Sequence, residues 1–187
     1  MISPTPISFS EAERLSRIFD AENREEWQRT SHILDVLHLQ PDTIIADVGA
    51  GTGYFSRLLS DRLPRGNVYA LDTEPNMLDF MQKRFAKEGR RNIDIRPCKS
   101  DDPCLPPDVD VVFMANVYRF ITSRQTFLKH LYEQTGDSVR VMIVDLNSEQ
   151  SQVPPQKAQE EVVAAGFVLV GRDMTGCPNH CILSFCK

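Results

Sequence analysis

The sequence predicts an α/β fold, a three-layer sandwich in which helices cover both faces of a seven-stranded mixed sheet. From residue 43 onward, short runs rich in β-branched residues alternate with longer amphipathic stretches, which is typical of βαβ units with parallel strands. The loop before the last apolar run is too short for the crossover that a parallel strand requires. The last strand is therefore predicted to run antiparallel to its neighbours.

Local patterns predict each element of this core. The first two strands are nearly continuous apolar runs, and the segment between them places Phe55 and Leu59 on one helical face. Pro75 and Gly89 mark the start and the end of the next helix. The predicted strands cover residues 43–48, 67–72, 92–98, 108–117, 138–146, 167–174 and 180–187. The predicted helices cover residues 54–63, 74–89, about 122–134 and about 155–165.

Residues 1–40 are predicted to form a helical arm. Residues 9–20 and 23–39 have the apolar spacing of two amphipathic helices, joined near residues 21–23. No low-complexity linker separates this arm from the rest of the chain. We therefore expect a single domain over residues 41–187, with the arm packed on it.

Composition limits the classes of partner. The formal net charge is −5, which argues against a protein held on nucleic acid mainly by phosphate contacts. No apolar run approaches the roughly 20 residues of a membrane span, and the first fifteen residues lack a signal-peptide pattern. We expect a cytoplasmic monomer or homodimer that binds a small molecule, with its five cysteines mostly reduced.

A glycine-rich turn follows the first predicted strand, in the sequence "DVGAGTGYF". Such a turn lets the backbone approach a ligand closely and presents amides at a helix start. Dinucleotide-binding folds use the spacing G-x-G-x-x-G, whereas Gly49, Gly51 and Gly53 give G-x-G-x-G. Tyr54 stands where the third glycine of the dinucleotide pattern is needed, so an oxidoreductase is only a minor alternative.

The turn instead resembles motif I of the class I S-adenosylmethionine-dependent methyltransferases, which have a Rossmann-like sheet. Asp72 ends the second predicted strand 19 residues after Gly53, as an acid does in that family. "NREEWQR", "VYALDTEPNML", "MIVD" and "AAGF" also occur in the order found in small bacterial-type members, similar to the ubiquinone/menaquinone-methyltransferase-like branch. The resemblance therefore extends over nearly the whole chain.

This resemblance implies a cofactor site. Asp47 and the glycine turn hold the aminoacyl end of S-adenosylmethionine, and Asp72 accepts hydrogen bonds from the ribose. Met77 and the loop at residues 100–101 flank the adenine, and Asn116 lies beside the sulfonium. The expected cofactor residues are Asp47, Gly49, Ala50, Gly51, Gly53, Tyr54, Asp72, Thr73, Met77, Ser100, Asp101 and Asn116.

Simpler interpretations stay open for several of these residues. Asp47 can be a buried acid satisfied within its strand, and Asp72 can be an acid at a helix start. By its helical spacing, Met77 can equally be a core residue.

The residues that would bind the methyl acceptor are less well defined by sequence. After the fourth predicted strand, "NVYRFI" lacks the two prolines of an N-P-P-Y motif and has Arg119 where relatives carry histidine. Arg119 can orient an anionic substrate or lie over apolar neighbours. Cys177 and His180 reach the same edge if the last loop lies there, although the pattern favours a plain hairpin with Pro178 and Asn179 in its turn. The candidates are Trp27, Tyr118, Arg119 and His180; no catalytic residue is assigned.

No metal site is expected, because Cys177 and Cys181 lack the second pair of ligands that structural zinc requires. The predicted function is methyl transfer from S-adenosylmethionine to a small molecule. The alternative is an inactive S-adenosylmethionine-binding protein that acts as a partner or regulator of another enzyme. In either case, we expect the arm to cover the cofactor and to contribute Phe19 or Trp27 to the pocket.

Overall fold

The computed structural model describes residues 11–187; residues 1–10, which belong to the predicted arm, lie outside the described part. Seven strands and seven α-helices alternate through most of it. The helices are α1 (Ala12–Phe19), α2 (Arg24–Gln28), α3 (Thr30–Val36), α4 (Tyr54–Arg62), α5 (Pro75–Glu88), α6 (Arg124–Gln134) and α7 (Pro155–Ala164). The strands are β1 (Ile44–Val48), β2 (Asn67–Asp72), β3 (Ile93–Pro97), β4 (Val111–Ala115), β5 (Arg140–Leu146), β6 (Val168–Asp173) and β7 (His180–Cys186). A single 3₁₀ turn covers Tyr118–Phe120.

The seven strands form one sheet in the order β3-β2-β1-β4-β5-β7-β6. The strands β1 to β5 run parallel, whereas β7 is antiparallel to both β5 and β6, so the predicted sheet is confirmed. In this register His180, the first residue of β7, lies opposite Leu146, the last residue of β5. His180 is therefore at the edge of the sheet where the parallel strands end.

Two apolar layers hold the helices against the sheet. Helices α6 and α7 bury Phe127, Leu131 and Val162 against one face. On the other face, α3 and α4 contribute Ile33 and Leu59 to the second layer, and α5 packs beside them. This arrangement is the expected three-layer sandwich. Among the described residues, no helix has both the length and the apolarity needed to cross a bilayer.

The arm differs from its prediction in one respect. The second predicted helix, over residues 23–39, is two helices that meet at Arg29, whose φ of 51° is left-handed. The Glu25 carboxylate accepts hydrogen bonds from the amide, at 3.0 Å, and the hydroxyl of Ser31. This side chain satisfies a free amide at the start of α3, so the chain can turn there without losing hydrogen bonds.

The arm is packed on the core at both ends. Ala12 and Leu15 of α1 form a small apolar cluster with Met77 of α5. At the other end, the ring of His32 on α3 lies 2.7 Å from the carboxylate of Asp173, at the end of β6. The intervening helix α2 is thereby placed beside the carboxyl ends of the parallel strands.

Candidate active site

A cavity of about 720 Å³ lies at the carboxyl edge of the sheet, under the arm. Its size is in the range of small-molecule and cofactor pockets. The strand ends and the glycine turn form its floor, and α1 and α2 form its roof. The lining residues used below are Phe19, Arg24, Trp27, Asp47, Gly49, Ala50, Gly51, Tyr54, Asp72, Thr73, Met77, Asn116, Val117, Arg119 and His180.

The three glycines of the turn have left-handed φ angles between 59° and 78°, which L-residues rarely adopt. Their surroundings differ, however. A Cβ atom on Gly49 would overlap with Val117, and one on Gly53 would overlap with Phe85 of α5. A Cβ atom on Gly51 would meet only the ring of Phe19, at 3.7 Å. Gly51 is thus the glycine whose missing side chain leaves room in the cavity.

Asp72 fixes the turn to the end of β2. Its Oδ2 accepts a hydrogen bond from the amide of Gly51 at 2.7 Å, and its Oδ1 accepts one from the amide of Glu74 at 2.9 Å. The side chain is 7% exposed, and burial raises the pKa of its carboxyl group although the two amides act in the opposite direction. Each oxygen retains a further acceptor site for a ligand hydroxyl.

Asp47 is the other acid of the cavity and is 2% exposed. Its Oδ2 accepts a hydrogen bond from the Ser56 hydroxyl at 2.6 Å. Burial raises the pKa of this carboxyl group to about 7; the hydrogen bond from Ser56 lowers it, the charge of Asp72 raises it, and that of Arg24 lowers it. A ligand ammonium group beside Asp47 would therefore stabilise its charged form.

Arg24 was not singled out by the sequence, although it lies in "NREEWQR". It is 6% exposed, lines the cavity, and lies 3.9 Å from the centre of the Tyr54 ring. Its Nε donates to Oε1 of Gln28 at 2.6 Å, and its Nη1 donates to the carbonyl of Phe19. Burial lowers its pKa to about 10, so the guanidinium remains charged near neutral pH. The sequence feature that could have indicated Arg24 is Trp27, which follows it by three residues and so shares its helical face.

A hydrogen-bonded group faces the other side of the cavity. Asn116, at a φ of 62° after β4, accepts at Oδ1 from Nη1 of Arg119, at 3.0 Å. The same oxygen lies 2.9 Å from Nε2 of His180, and an amide oxygen can only accept, so Nε2 carries the proton. The guanidinium of Arg119 also pairs with the buried carboxylate of Asp145.

His180 is a weak base in this setting. It is 2% exposed, and burial followed by the charges of Arg119 and Arg24 lowers its pKa to about 4. Its Nδ1 is buried without a hydrogen-bond partner among the described residues. The ring of Trp27 lies across it, with 5.8 Å between ring centres. The neutral imidazole is therefore suited to positioning Asn116 and a ligand, not to carrying charge.

Twelve of the sixteen sequence-predicted site residues line the cavity together, and four do not. Tyr118 points away, because its hydroxyl donates to the Glu161 carboxylate of α7 at 2.8 Å. Gly53 lies against the core, where its lack of a side chain leaves space for Phe85 of α5. Ser100 and Asp101 lie outside the lining; Ser100 is exposed, and the carbonyl of Asp101 accepts from the ring of His130. The roles expected for these four residues stay predictions.

The cysteines of the last loop also have a clear position. Cys177 is buried in the apolar layer with α3 and α4, whereas Cys181 is buried in the layer on the opposite face of the sheet. Cys177 therefore does not line the cavity, as one interpretation of the loop had it. Within residues 11–187, no group of three or more potential ligands could hold a metal ion.

The cavity fits the cofactor that the sequence resemblance implies. Gly51 leaves room beside a buried acid at one end, and Asp72 presents unused acceptor sites at the end of the next strand. Met77 lines the cavity while it also packs against α1. An acid can bind an ammonium group, free carboxylate acceptor sites can bind hydroxyls, and an apolar side chain can contact a flat ring; S-adenosylmethionine contains all three groups.

Comparison with known proteins also indicates a methyltransferase. The family model for "Methyltransferase domain" matches residues 46–141, just over half of the chain. A malonyl-[acyl-carrier protein] O-methyltransferase of Acetivibrio thermocellus is 28% identical over 138 residues, which cover 73% of this chain and 44% of that protein. A trans-aconitate 2-methyltransferase of Rhodopseudomonas palustris is 28% identical over 111 residues, covering 58% of this chain and 41% of that protein. The chain thus spans less than half the length of these relatives.

Solved structures support the fold independently. A S-adenosylmethionine-dependent methyltransferase from Aquifex aeolicus superimposes with a TM-score of 0.80 at 21% identity, over 96% of this chain and 98% of that chain. A TehB-like methyltransferase from Corynebacterium glutamicum gives a TM-score of 0.76 at 18% identity, over 98% of this chain and 100% of that chain. The ubiquinone/menaquinone-like branch stays a prediction. The expected family, fold and S-adenosylmethionine cofactor are confirmed at the family level: the chain belongs to the methyltransferase-domain family of class I S-adenosylmethionine-dependent methyltransferases.

Proposed function

We propose that the protein transfers the methyl group of S-adenosylmethionine to a carboxylate of a small acid. The observation that carries this proposal is that the glycine turn and Asp72 share one cavity with Asn116, Arg119 and His180. The first group fits the cofactor, and the second group lines the space left for the acceptor. Bound S-adenosylmethionine supplies an electrophilic methyl group, and the protein's part is to orient the acceptor and to exclude water.

The nature of the acceptor follows from the lack of a suitable base. On the acceptor side of the described lining, His180 has a pKa of about 4, and Arg119 is a cation paired with Asp145. Neither group is suited to remove a proton from an alcohol or an ammonium group near neutral pH. A carboxylic acid, with an ordinary pKa of about 4, is already ionised there. The names of the relatives support this choice, since malonyl groups and trans-aconitate are carboxylic acids.

The inactive alternative receives less support. It was suggested by the missing histidine after Tyr118, but β7 brings His180 to the cavity from another part of the chain. We also propose that residues 1–40 act as the covering arm of a methyltransferase domain formed by residues 41–187. The protein would then act on a small molecule without a nucleic-acid partner.

The test is an assay of S-adenosylhomocysteine formation with acceptors that share one carbon skeleton. Succinate, 1,4-butanediol, 1,4-butanedithiol and 1,4-diaminobutane differ only in their terminal groups, and malonate and trans-aconitate extend the acid series. We expect turnover with one or more acids and background rates with the other three compounds. Turnover confined to the alcohol, thiol or amine would refute the carboxylate assignment. Gly51→Val is the control without a usable cofactor site.

A further inference from the structure

The side-chain amide of Asn116 has a defined orientation, because its oxygen is bound by two hydrogen-bond donors. Nη1 of Arg119 lies 3.0 Å from Oδ1, and an arginine side chain can only donate. The amide atom that faces Arg119 is therefore the oxygen and not the nitrogen. Nε2 of His180 lies 2.9 Å from the same oxygen, so it also donates.

Three neighbouring strands of the sheet, β4, β5 and β7, hold this orientation. The guanidinium of Arg119 pairs with the carboxylate of Asp145, a buried residue of β5, and the buried His180 begins β7. Asn116 follows β4, where its backbone amide donates to the carbonyl of Val144 at 2.8 Å. Its φ of 62° is left-handed, a conformation that asparagine tolerates better than most residues. The direction of its side chain is thus fixed by the fold.

The amide nitrogen Nδ2 is the half of this side chain that remains available. Among the hydrogen bonds of residues 11–187, those of the Asn116 side chain use only Oδ1. Asn116 is half-buried and lines the cavity. Its two N–H groups can donate to a ligand, and they cannot accept a hydrogen bond from one.

Asn116 also lies between the two parts of the cavity. The next residue, Val117, packs so closely against the glycine turn that a Cβ atom on Gly49 would overlap with it. On the acceptor side, Arg119 and His180 line the same cavity. A group bound to Nδ2 would therefore lie near the boundary at which the methyl group passes from cofactor to acceptor.

We propose that Asn116 selects the acceptor: Arg119 and His180 hold its amide oxygen, so that its Nδ2 group donates to one carboxylate oxygen of the acid and offers nothing to an ammonium group. This inference rests on the proposed function. The second carboxylate oxygen stays free to attack the methyl carbon. Its new O–C bond forms as the S–C bond of the sulfonium breaks, which yields a methyl ester and a neutral thioether, and no proton has to move.

The experiment reverses the hydrogen-bonding character of this group while it keeps its shape. Asn116→Asp retains an acceptor for Arg119 and His180, tolerates the left-handed backbone, and replaces the two N–H donors by an oxygen. Calorimetry measures binding of succinate, malonate, trans-aconitate and 1,4-diaminobutane to protein saturated with S-adenosylhomocysteine. The variant should bind the acids at least about 10-fold more weakly than the wild type, and the diamine at least about 10-fold more tightly. Asn23→Asp, the same change at an exposed position before α2, should bind all four like the wild type.

Two further variants test the mechanism and remain informative if Asn116→Asp does not fold. Asn116→Gly also allows the left-handed backbone; it should lose acid binding about 10-fold without any gain for the diamine. His180→Phe keeps a ring beside Trp27 but removes one donor to Oδ1, and it should weaken acid binding about threefold or more. In the Asn116→Gly background the same change should have no further effect, because His180 acts through Asn116.

Two results would overturn the inference alone. One is acid binding by Asn116→Asp, or by Asn116→Gly, within about threefold of the wild type. The other is an additive loss in the double variant, which would mean that His180 does not act through Asn116. With either result, turnover of an acid by the wild type would leave the proposed function intact. A wild type that methylates only the alcohol, thiol or amine would refute both the proposed function and the inference.

Discussion

Asp72 combines a structural and a ligand-binding position in one side chain. Its two oxygens hold the amides of Gly51 and Glu74 and still offer acceptor sites to the cavity. Asp72→Asn keeps the shape but places donor hydrogens near one of these amides and removes the charge. We expect a loss of about 1.5 to 3 kcal/mol in binding free energy for S-adenosylhomocysteine. Calorimetry measures it, with the exposed Asp79→Asn on α5 as control; equal affinities for the two variants would place the ribose elsewhere.

The buried acid and the buried imidazole of the cavity should affect stability in opposite ways. Asp47 has a pKa of about 7 in the folded state and 3.8 as its ordinary value, so the folded protein binds its proton more tightly. This contribution therefore falls as pH rises from about 4 to 7. His180 has a pKa of about 4 when folded and 6.5 ordinarily, so its contribution is present above pH 6.5 and is lost as pH falls towards 4.

These signs predict how two variants differ from the wild type. Asp47→Asn should gain stability relative to the wild type as pH rises from 4 to 7. His180→Gln should lose stability relative to the wild type as pH rises from 4 to 6.5. Each slope is at most about 1.4 kcal/mol per pH unit. Urea unfolding at a series of pH values measures both differences. Parallel stability curves for wild type and variants would show that neither group titrates in this range.

At the scale of elements, substitutions at two glycines of the turn should affect cofactor binding and stability differently. Gly51→Val should leave the protein folded, at a cost of about 1 to 2 kcal/mol for the left-handed backbone, because its side chain enters the cavity. It should abolish cofactor binding by filling that space. Gly53→Ala should instead lower the unfolding temperature more, because its methyl group overlaps with Phe85. Thermal unfolding and calorimetry on both variants test this; normal binding by Gly51→Val would make the turn purely structural.

The elements also show where sequence reasoning succeeds. The bounds of β2 match the prediction because residues 68–71 form an unbroken apolar run between polar residues at both ends. The break at Arg29 was missed, since arginine favours helices and the turn depends on Glu25 reaching Ser31. The hydrogen bond of Tyr118 was not foreseen for a similar reason: its partner Glu161 is distant in sequence. Patterns near in sequence predict elements, whereas side-chain direction depends on contacts that only the fold creates.

At the scale of the whole molecule, the arm and the last strand complete the cavity from opposite ends of the chain. Trp27 of α2 lies across His180 of β7, and the ring of His32 on α3 lies against Asp173 at the end of β6. The sheet alone would leave this edge open to water. Nine of the twelve residues that the family resemblance predicted line the floor, and residues of the arm line the roof.

This arrangement predicts that cofactor binding is reported by Trp27, the only tryptophan of the chain. Trp27 is half-buried at the cavity, 5.6 Å from the guanidinium of Arg24, so a ligand that orders α2 should change its surroundings. Titration with S-adenosylhomocysteine should shift its emission and reduce quenching by acrylamide, because a covered side chain is less accessible to the quencher. Identical quenching with and without ligand in the wild type would mean that the arm is already closed or that it does not respond to the cofactor.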